Sequence, residues 1–168
     1  KSFVDALLPG AQVGLVVGDR AGVVDFDSYA TLTQPLTDDY EAVKKAIDNI
    51  DDNGGTNIGL GVDIANNELI KNSEENRLKI EILLTDGDGS YSSAYTAEAI
   101  ENDIVIYTIG LGSDVDSSLL SQIAKDTGGQ YFHVGNASEL PVVYNRIKEI
   151  TTEPQDSDGD GIPDSLEI

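Results

Sequence analysis

Residues 104–111 read IVIYTIGL. The run carries no charge, and neither of its faces turns polar. A strand of that kind is buried on both sides, as in a parallel sheet with helices above and below. The rest of the chain supplies those helices. Apolar residues recur at helical spacing at Tyr40, Val43, Ile47 and Ile50, and again at Ile58, Val62, Ala65 and Leu69. Leu60 and Ile64 widen the second stripe, which predicts a well-buried helix opened by Asn57. YTAEAIEN reads as a short helix. DSSLLSQIAKDTGG reads as another, capped by Asp116 or Ser117 and stopped by Gly128 and Gly129. Ser138 is expected to cap a last helix with the stripe Leu140, Val143, Tyr144, Ile147 and Ile150. Strand-like runs stand between them: AGVVDF, YATLTQPL (an edge strand, because of Pro35), LKIEILL and QYFHV. Strands alternating with helices predict an α/β fold, a doubly wound and mostly parallel sheet with helices on both faces. Ligands of such sheets gather at the carboxyl ends of the strands.

The stretch ILLTDGDGS, residues 82–90, ends a strand in two aspartates one residue apart. It fits the D-x-D-G-S of a haloacid dehalogenase-type phosphatase, with Asp86 as nucleophile and Asp88 as general acid. That chemistry needs a later Lys and a further acidic pair. Lys125 and Thr108 are the nearest stand-ins, but Thr108 lies inside an apolar strand and QYFHVGN ends without a carboxylate. His133, the only His, sits in a strand and reads as a packing residue, so no Ser-His-acid set exists. The chain does not read as an enzyme.

A different use of Asp86 fits better. It follows a strand, and Thr56 lies in the loop GGTNIG just before a helix. Both loops belong to one edge of a parallel sheet. A carboxylate and a hydroxyl there suit a hard cation such as Mg²⁺, Mn²⁺ or Ca²⁺, with water completing the shell. Gly54 and Gly55 allow the close turn.

Taken in order, LLPG, VVDFDS, GGTNIGLGVDIA, IEILLTDGDGS and IVIYTIGLGSDVDSSLLSQIAKDTGGQYFHV resemble a von Willebrand factor type A domain over residues 1–151. The resemblance implies a metal-ion-dependent adhesion site, built in that family from D-x-S-x-S after the first strand, a Thr in a second loop and an Asp in a third. Thr56 matches the second-loop Thr and Asp86 the third-loop Asp. The D-x-S-x-S motif and the strand before it have no counterpart, as if residue 1 fell inside the following helix. Asp25, Asp27 and Ser28 superficially look like that motif but are expected at a strand end, away from the ion. An additional strand-like run, AQVGLVV at 11–17, stands where the family has none. It is expected either to take up sheet edge left by the missing strand or to form a hairpin insertion.

Composition changes after Thr152. In DSDGDGIPDSLE the acids Asp156, Asp158, Asp160, Asp164 and Glu167 fall at positions 1, 3, 5, 9 and 12 of a calcium loop, with Gly161 at 6 and the Ile162 carbonyl at 7. Without a cation such packed carboxylates repel one another. Pro154 and Pro163 set it apart from an EF-hand, and the segment resembles a thrombospondin type 3 repeat. The resemblance implies a calcium-stiffened stalk at 152–168.

Charge bears on the partners. Ten basic and 31 acidic residues give −21. That repels nucleic acid and anionic membranes and suits a chain that holds divalent cations. There is no Cys, so no disulfide or thiol chemistry, and no Met, which suggests a mature or excised piece. No run is long enough to span a membrane. The reading is a metal-dependent adhesion module of a secreted or cell-surface protein, more in keeping with a prokaryote. Its expected partner is a protein or extracellular-matrix ligand that completes the metal's shell with a carboxylate. An intracellular scaffold domain is the remaining alternative; the calcium tail argues against it.

Overall fold

A computed structural model describes residues 19–50, 54–74 and 76–152. Among the described residues five strands and five α-helices follow in order: β1 (Ala21–Phe26), β2 (Ala30–Thr37), α1 (Tyr40–Asp48), α2 (Ile58–Asn72), β3 (Lys79–Thr85), α3 (Ser93–Glu101), β4 (Ile104–Leu111), α4 (Ser117–Asp126), β5 (Tyr131–Val134) and α5 (Leu140–Thr152). The fold is the expected α/β type, with a parallel sheet flanked by helices.

The strands form two sheets. β3, β4 and β5 are parallel and hydrogen-bonded in that order, while β1 and β2 make an antiparallel hairpin. β2, carrying Pro35, is an edge strand, where a missing N–H costs least. β4 is the centre of the core. Ile104 and Ile106 meet Ile58 and Val62 of α2, Ala99 of α3 and Leu120 and Ile123 of α4. Tyr107 and Ile109 meet Leu140, Val143, Tyr144 and Ile147 of α5 on the opposite face. Burying each of these large side chains contributes roughly 1.5–3 kcal/mol, which is why IVIYTIGL tolerates no charge.

Polar groups buried with the core are mostly satisfied. The Thr108 hydroxyl donates to Leu120 O at 2.8 Å, and Thr127 Oγ1 accepts from Ile106 N at 3.0 Å. Gly129 is required beside them: a Cβ there would stand 2.1 Å from Ile106 O. Thr108 is thus enclosed and cannot bind a phosphate. Lys125 lies in the last turn of α4, at the end of the sheet opposite Asp86. The stand-ins for the phosphatase reading do not converge.

Three local expectations change. In α2, Leu60 and Ile64 are only half-buried; the enclosed face is Ile58, Gly59, Gly61, Val62, Asn66 and Glu68. This helix lies across both sheets, and its glycines admit Phe26 and Tyr95 where side chains would collide. The entry to α5 is capped by Asn136, whose Oδ1 accepts from Ser138 N at 3.0 Å. A 3₁₀ turn, Ala137–Glu139, precedes the helix and places Ser138 inside it. His133 is exposed on β5 rather than packed, with its Nδ1 3.4 Å from the Tyr131 hydroxyl. The run 11–17 and the acidic segment from Asp156 to Glu167 lie outside the described residues. Among the described residues no helix is long and apolar enough to cross a membrane.

Candidate functional site

Three segments converge at the carboxyl edge of the strands: the β1–β2 tip, the glycine loop ahead of α2 and the loop after β3. The tip is closed on itself, with Asp27 N donating to Tyr29 O at 2.8 Å and Tyr29 N donating to Asp27 Oδ1 at 2.6 Å. It then grips the second segment. Gly55 N donates to Ser28 Oγ at 3.0 Å, and Asn57 N donates to Asp27 O at 2.7 Å. Gly54 adopts φ +136°, a region that disfavours side chains, and a Cβ there would stand 2.8 Å from the Asp27 Cβ.

The third segment closes over Thr56. Ser90 N donates to Thr56 O at 3.3 Å, and Gly59 N donates to Ser90 O at 2.9 Å. A Cβ on Gly89 would stand 2.6 Å from Thr56 O, and one on Gly87 would stand 2.8 Å from Thr56 Oγ1. Gly87 N is itself held by the Thr85 hydroxyl at 3.2 Å. The Thr56 hydroxyl therefore rests against the backbone directly after Asp86. Thr56 is half-buried and Asp86 is exposed.

Neither side chain is consumed by local structure. Thr56 does not cap α2; Asn57 does, with its Oδ1 accepting from Leu60 N at 3.2 Å. No hydrogen bond holds the Asp86 carboxylate or the Thr56 hydroxyl among the described residues. Asp88 is an exposed loop residue beside them. The donor set is one carboxylate and one hydroxyl, which fits a hydrated hard cation and no soft one. Among the described residues no three acidic or His side chains cluster as a metal cage.

Asp27 and Ser28 stand closer to the site than the sequence suggests. Asp27 Oδ1 and Ser28 Oγ already accept backbone N–H groups. Their role is to hold the loop that presents Thr56. A D-x-D-S tip ahead of a later Gly-Gly is the signal that marks such a clasp.

One ionisable group is buried within the sheet. Glu81, in the middle of β3, is buried, and burial pushes its carboxyl up to about 8. Among the described residues its Oε2 has no hydrogen-bond partner, and neither does the Asn66 Oδ1 on α2. Nearby, the Tyr91 hydroxyl pairs with Thr96 Oγ1 at 2.7 Å and is raised to about 12, chiefly by burial.

Residues 1–146 match the family model of the von Willebrand factor type A domain. The chain is 33% identical over 138 residues to the collagen alpha-1(XXI) chain of Xenopus laevis, covering 78% of this chain and 14% of that one. Proximal thread matrix protein 1 from the mussel byssus superposes with TM-score 0.71 at 25% identity, covering 89% of this chain and 41% of that one. A further structure of the mussel protein, described as having a zinc-occupied MIDAS motif, superposes with TM-score 0.66 at 24% identity over 80% of this chain and 36% of that one. The chain spans less than half the length of each of these proteins.

Proposed function

From the premise that the chain belongs to the von Willebrand factor type A family, we propose that it is a protein-binding module. It engages its ligand at the carboxyl edge through a divalent cation, Mg²⁺ or Mn²⁺, held in part by Thr56 and Asp86. The observation that carries this reading is the placement of the Thr56 hydroxyl against Gly87, next to Asp86, with neither oxygen bonded locally. Two protein oxygens leave most of the shell to water, so the cation is held weakly and stays open to an incoming carboxylate. The cation would supply charge for that ligand oxygen. The chain's part is to fix the two donors, and the Asp27–Ser28 clasp and the Ser90 backbone do so.

The acidic segment is the second element of the proposal. Asp156, Asp158, Asp160, Asp164 and Glu167, with the Ile162 carbonyl, form a Ca²⁺ loop of the thrombospondin type 3 kind. It begins a stalk at 152–168, after a domain ending at 151. A loop of that sort suits calcium levels outside cells. The relatives named for collagen and byssal matrix support an adhesive role in a secreted or surface protein, with a protein or matrix partner. The full acidity of the chain and its lack of Cys favour a prokaryotic source.

Calorimetry separates the two sites. Asp86→Ala should abolish the heat of Mn²⁺ binding at the domain and spare Ca²⁺ binding by the tail, while Asp160→Ala should do the reverse. Equal heats in wild type and Asp86→Ala, with Mn²⁺ titrated into calcium-saturated protein, would remove the cation from the reading.

A further inference from the structure

Tyr29 is the most exposed large apolar side chain among the described residues, with 78% of its surface in solvent. It stands at the tip between β1 and β2, in the segment that grips the loop of Thr56. Its backbone is held on both sides. Asp27 N donates to Tyr29 O at 2.8 Å, and Tyr29 N donates to Asp27 Oδ1 at 2.6 Å. Asp27 O in turn accepts from Asn57 N, the residue after Thr56, at 2.7 Å. The Tyr29 backbone is thus tied to Thr56 through hydrogen bonds. Gly55, bonded to Ser28 of the same tip, and Gly54 before it are exposed and carry no side chain that could cover the ring. An aromatic ring on a fixed backbone offers a partner a large contact area at a small ordering cost.

Charge selects that partner. The loops after β1, β3 and β4 carry Asp27, Asp86, Asp88, Asp114 and Asp116. No Lys, Arg or His stands in them or in the Gly54–Asn57 loop. Arg20, Lys71, Arg77, Lys79 and Lys125 stand at the opposite edge, ahead of strands or in the last turns of α2 and α4. A divalent cation at Thr56 and Asp86 offsets two of the five charges and leaves the carboxyl edge acidic. Such an edge attracts a basic segment and repels an acidic one. A basic side chain over an aromatic face gains further from the ring quadrupole.

We propose that Tyr29 is the aromatic anchor of the ligand face and receives a Lys or Arg side chain of the partner protein. This rests on the reading of the carboxyl edge as that face. The partner segment then carries a carboxylate for the divalent cation and a basic side chain for Tyr29. Asp27, bonded to the Tyr29 amide, supplies the adjacent negative charge.

The test titrates the full-length protein, with Mg²⁺ and Ca²⁺ present, with tetra-arginine amide while the Tyr29 ring and Asp88 amide resonances are followed. Both should shift. Read at the Asp88 amide, Tyr29→Ala should weaken binding about threefold or more. Tyr29→Phe, which keeps the ring face, should bind as wild type does. Tetra-glutamate amide should leave the ring signals in place. Unmoved ring signals, equal affinity in wild type and Tyr29→Ala, or an equal response to tetra-glutamate would overturn the proposal. Mn²⁺ calorimetry keeps the two readings apart. If Asp86→Ala leaves the Mn²⁺ heat unchanged while Tyr29→Ala still weakens the peptide, the cation reading fails and the anchor stands. If Mn²⁺ binding needs Asp86 but the peptide ignores Tyr29, the anchor alone fails.

Discussion

The Thr56 hydroxyl and the Gly87 backbone touch so closely that a methyl group on Gly87 would stand 2.8 Å from Thr56 Oγ1. That contact joins the loop before α2 to the loop after β3. It brings Thr56 up against the backbone that follows Asp86, the juxtaposition on which the proposed cation site rests.

Gly87→Ala should therefore displace the Thr56 hydroxyl without unfolding the domain. The expected result is a divalent-cation affinity reduced about tenfold or more with a stability change of about 1–2 kcal/mol, in the range of local overpacking. Mn²⁺ titration together with a urea midpoint measures both.

Gly54 tests the clasp from the other side. Its φ of +136° and its 2.8 Å clearance from Asp27 leave no room for a side chain. Gly54→Ala should cost about 1–3 kcal/mol. Ser28→Ala, which removes only the acceptor for Gly55 N, should cost about 1 kcal/mol. Chemical denaturation ranks the two.

Glu81 gives the domain a pH dependence of a definite sign. Burial raises its carboxyl from the ordinary carboxylate range to about 8. The folded state then holds a proton that the unfolded state has already released. Stability is full below the unfolded pKa and declines as pH rises through the window up to about 8. Glu81→Gln should flatten that decline and be the more stable protein at pH 8. Urea midpoints at pH 5 and pH 8 decide it, and an equal pH slope in both proteins would contradict the burial argument.

Glu68 ties α2 to the edge strand. Its Oε1 accepts from Leu36 N at 2.8 Å and its Oε2 from Asn72 Nδ2 at 2.9 Å. Leu36 follows Pro35, where the strand has no donor to offer, so Glu68 answers a break in the ladder. Glu68→Ala should cost about 1–3 kcal/mol by leaving the Leu36 amide unpaired. Faster exchange of that amide is the specific sign.

Much of this was legible in residue order. Continuous apolarity in Ile104–Leu111 identified the doubly covered strand, Asn57 and Asp116 announced their helices, and Pro35 marked the edge. Helical periodicity misjudged α2, because a helix laid across two sheets uses glycines and a buried Asn and Glu where a simple stripe would use Leu60 and Ile64. The meeting of the loops that carry Thr56 and Asp86 was half legible. Thr56 and Asp86 could be chosen from strand ends and loop composition. Asp27 and Ser28 were underrated because their part is to accept N–H groups from Gly55 and Tyr29, a role set by tertiary contact rather than by spacing. Glu81 alternates with Leu83 and Thr85 on the buried face of β3, where its residue type argues against burial.

Site-resolved broadening by Mn²⁺ is the most direct test of the central claim. Amide resonances of Thr56, Asp86 and Gly87 should broaden first as Mn²⁺ is added to calcium-saturated protein, and in Asp86→Ala they should not. Broadening confined to Asp114, Asp116 and other exposed acids, or unchanged in Asp86→Ala, would contradict a cation site at Thr56 and Asp86.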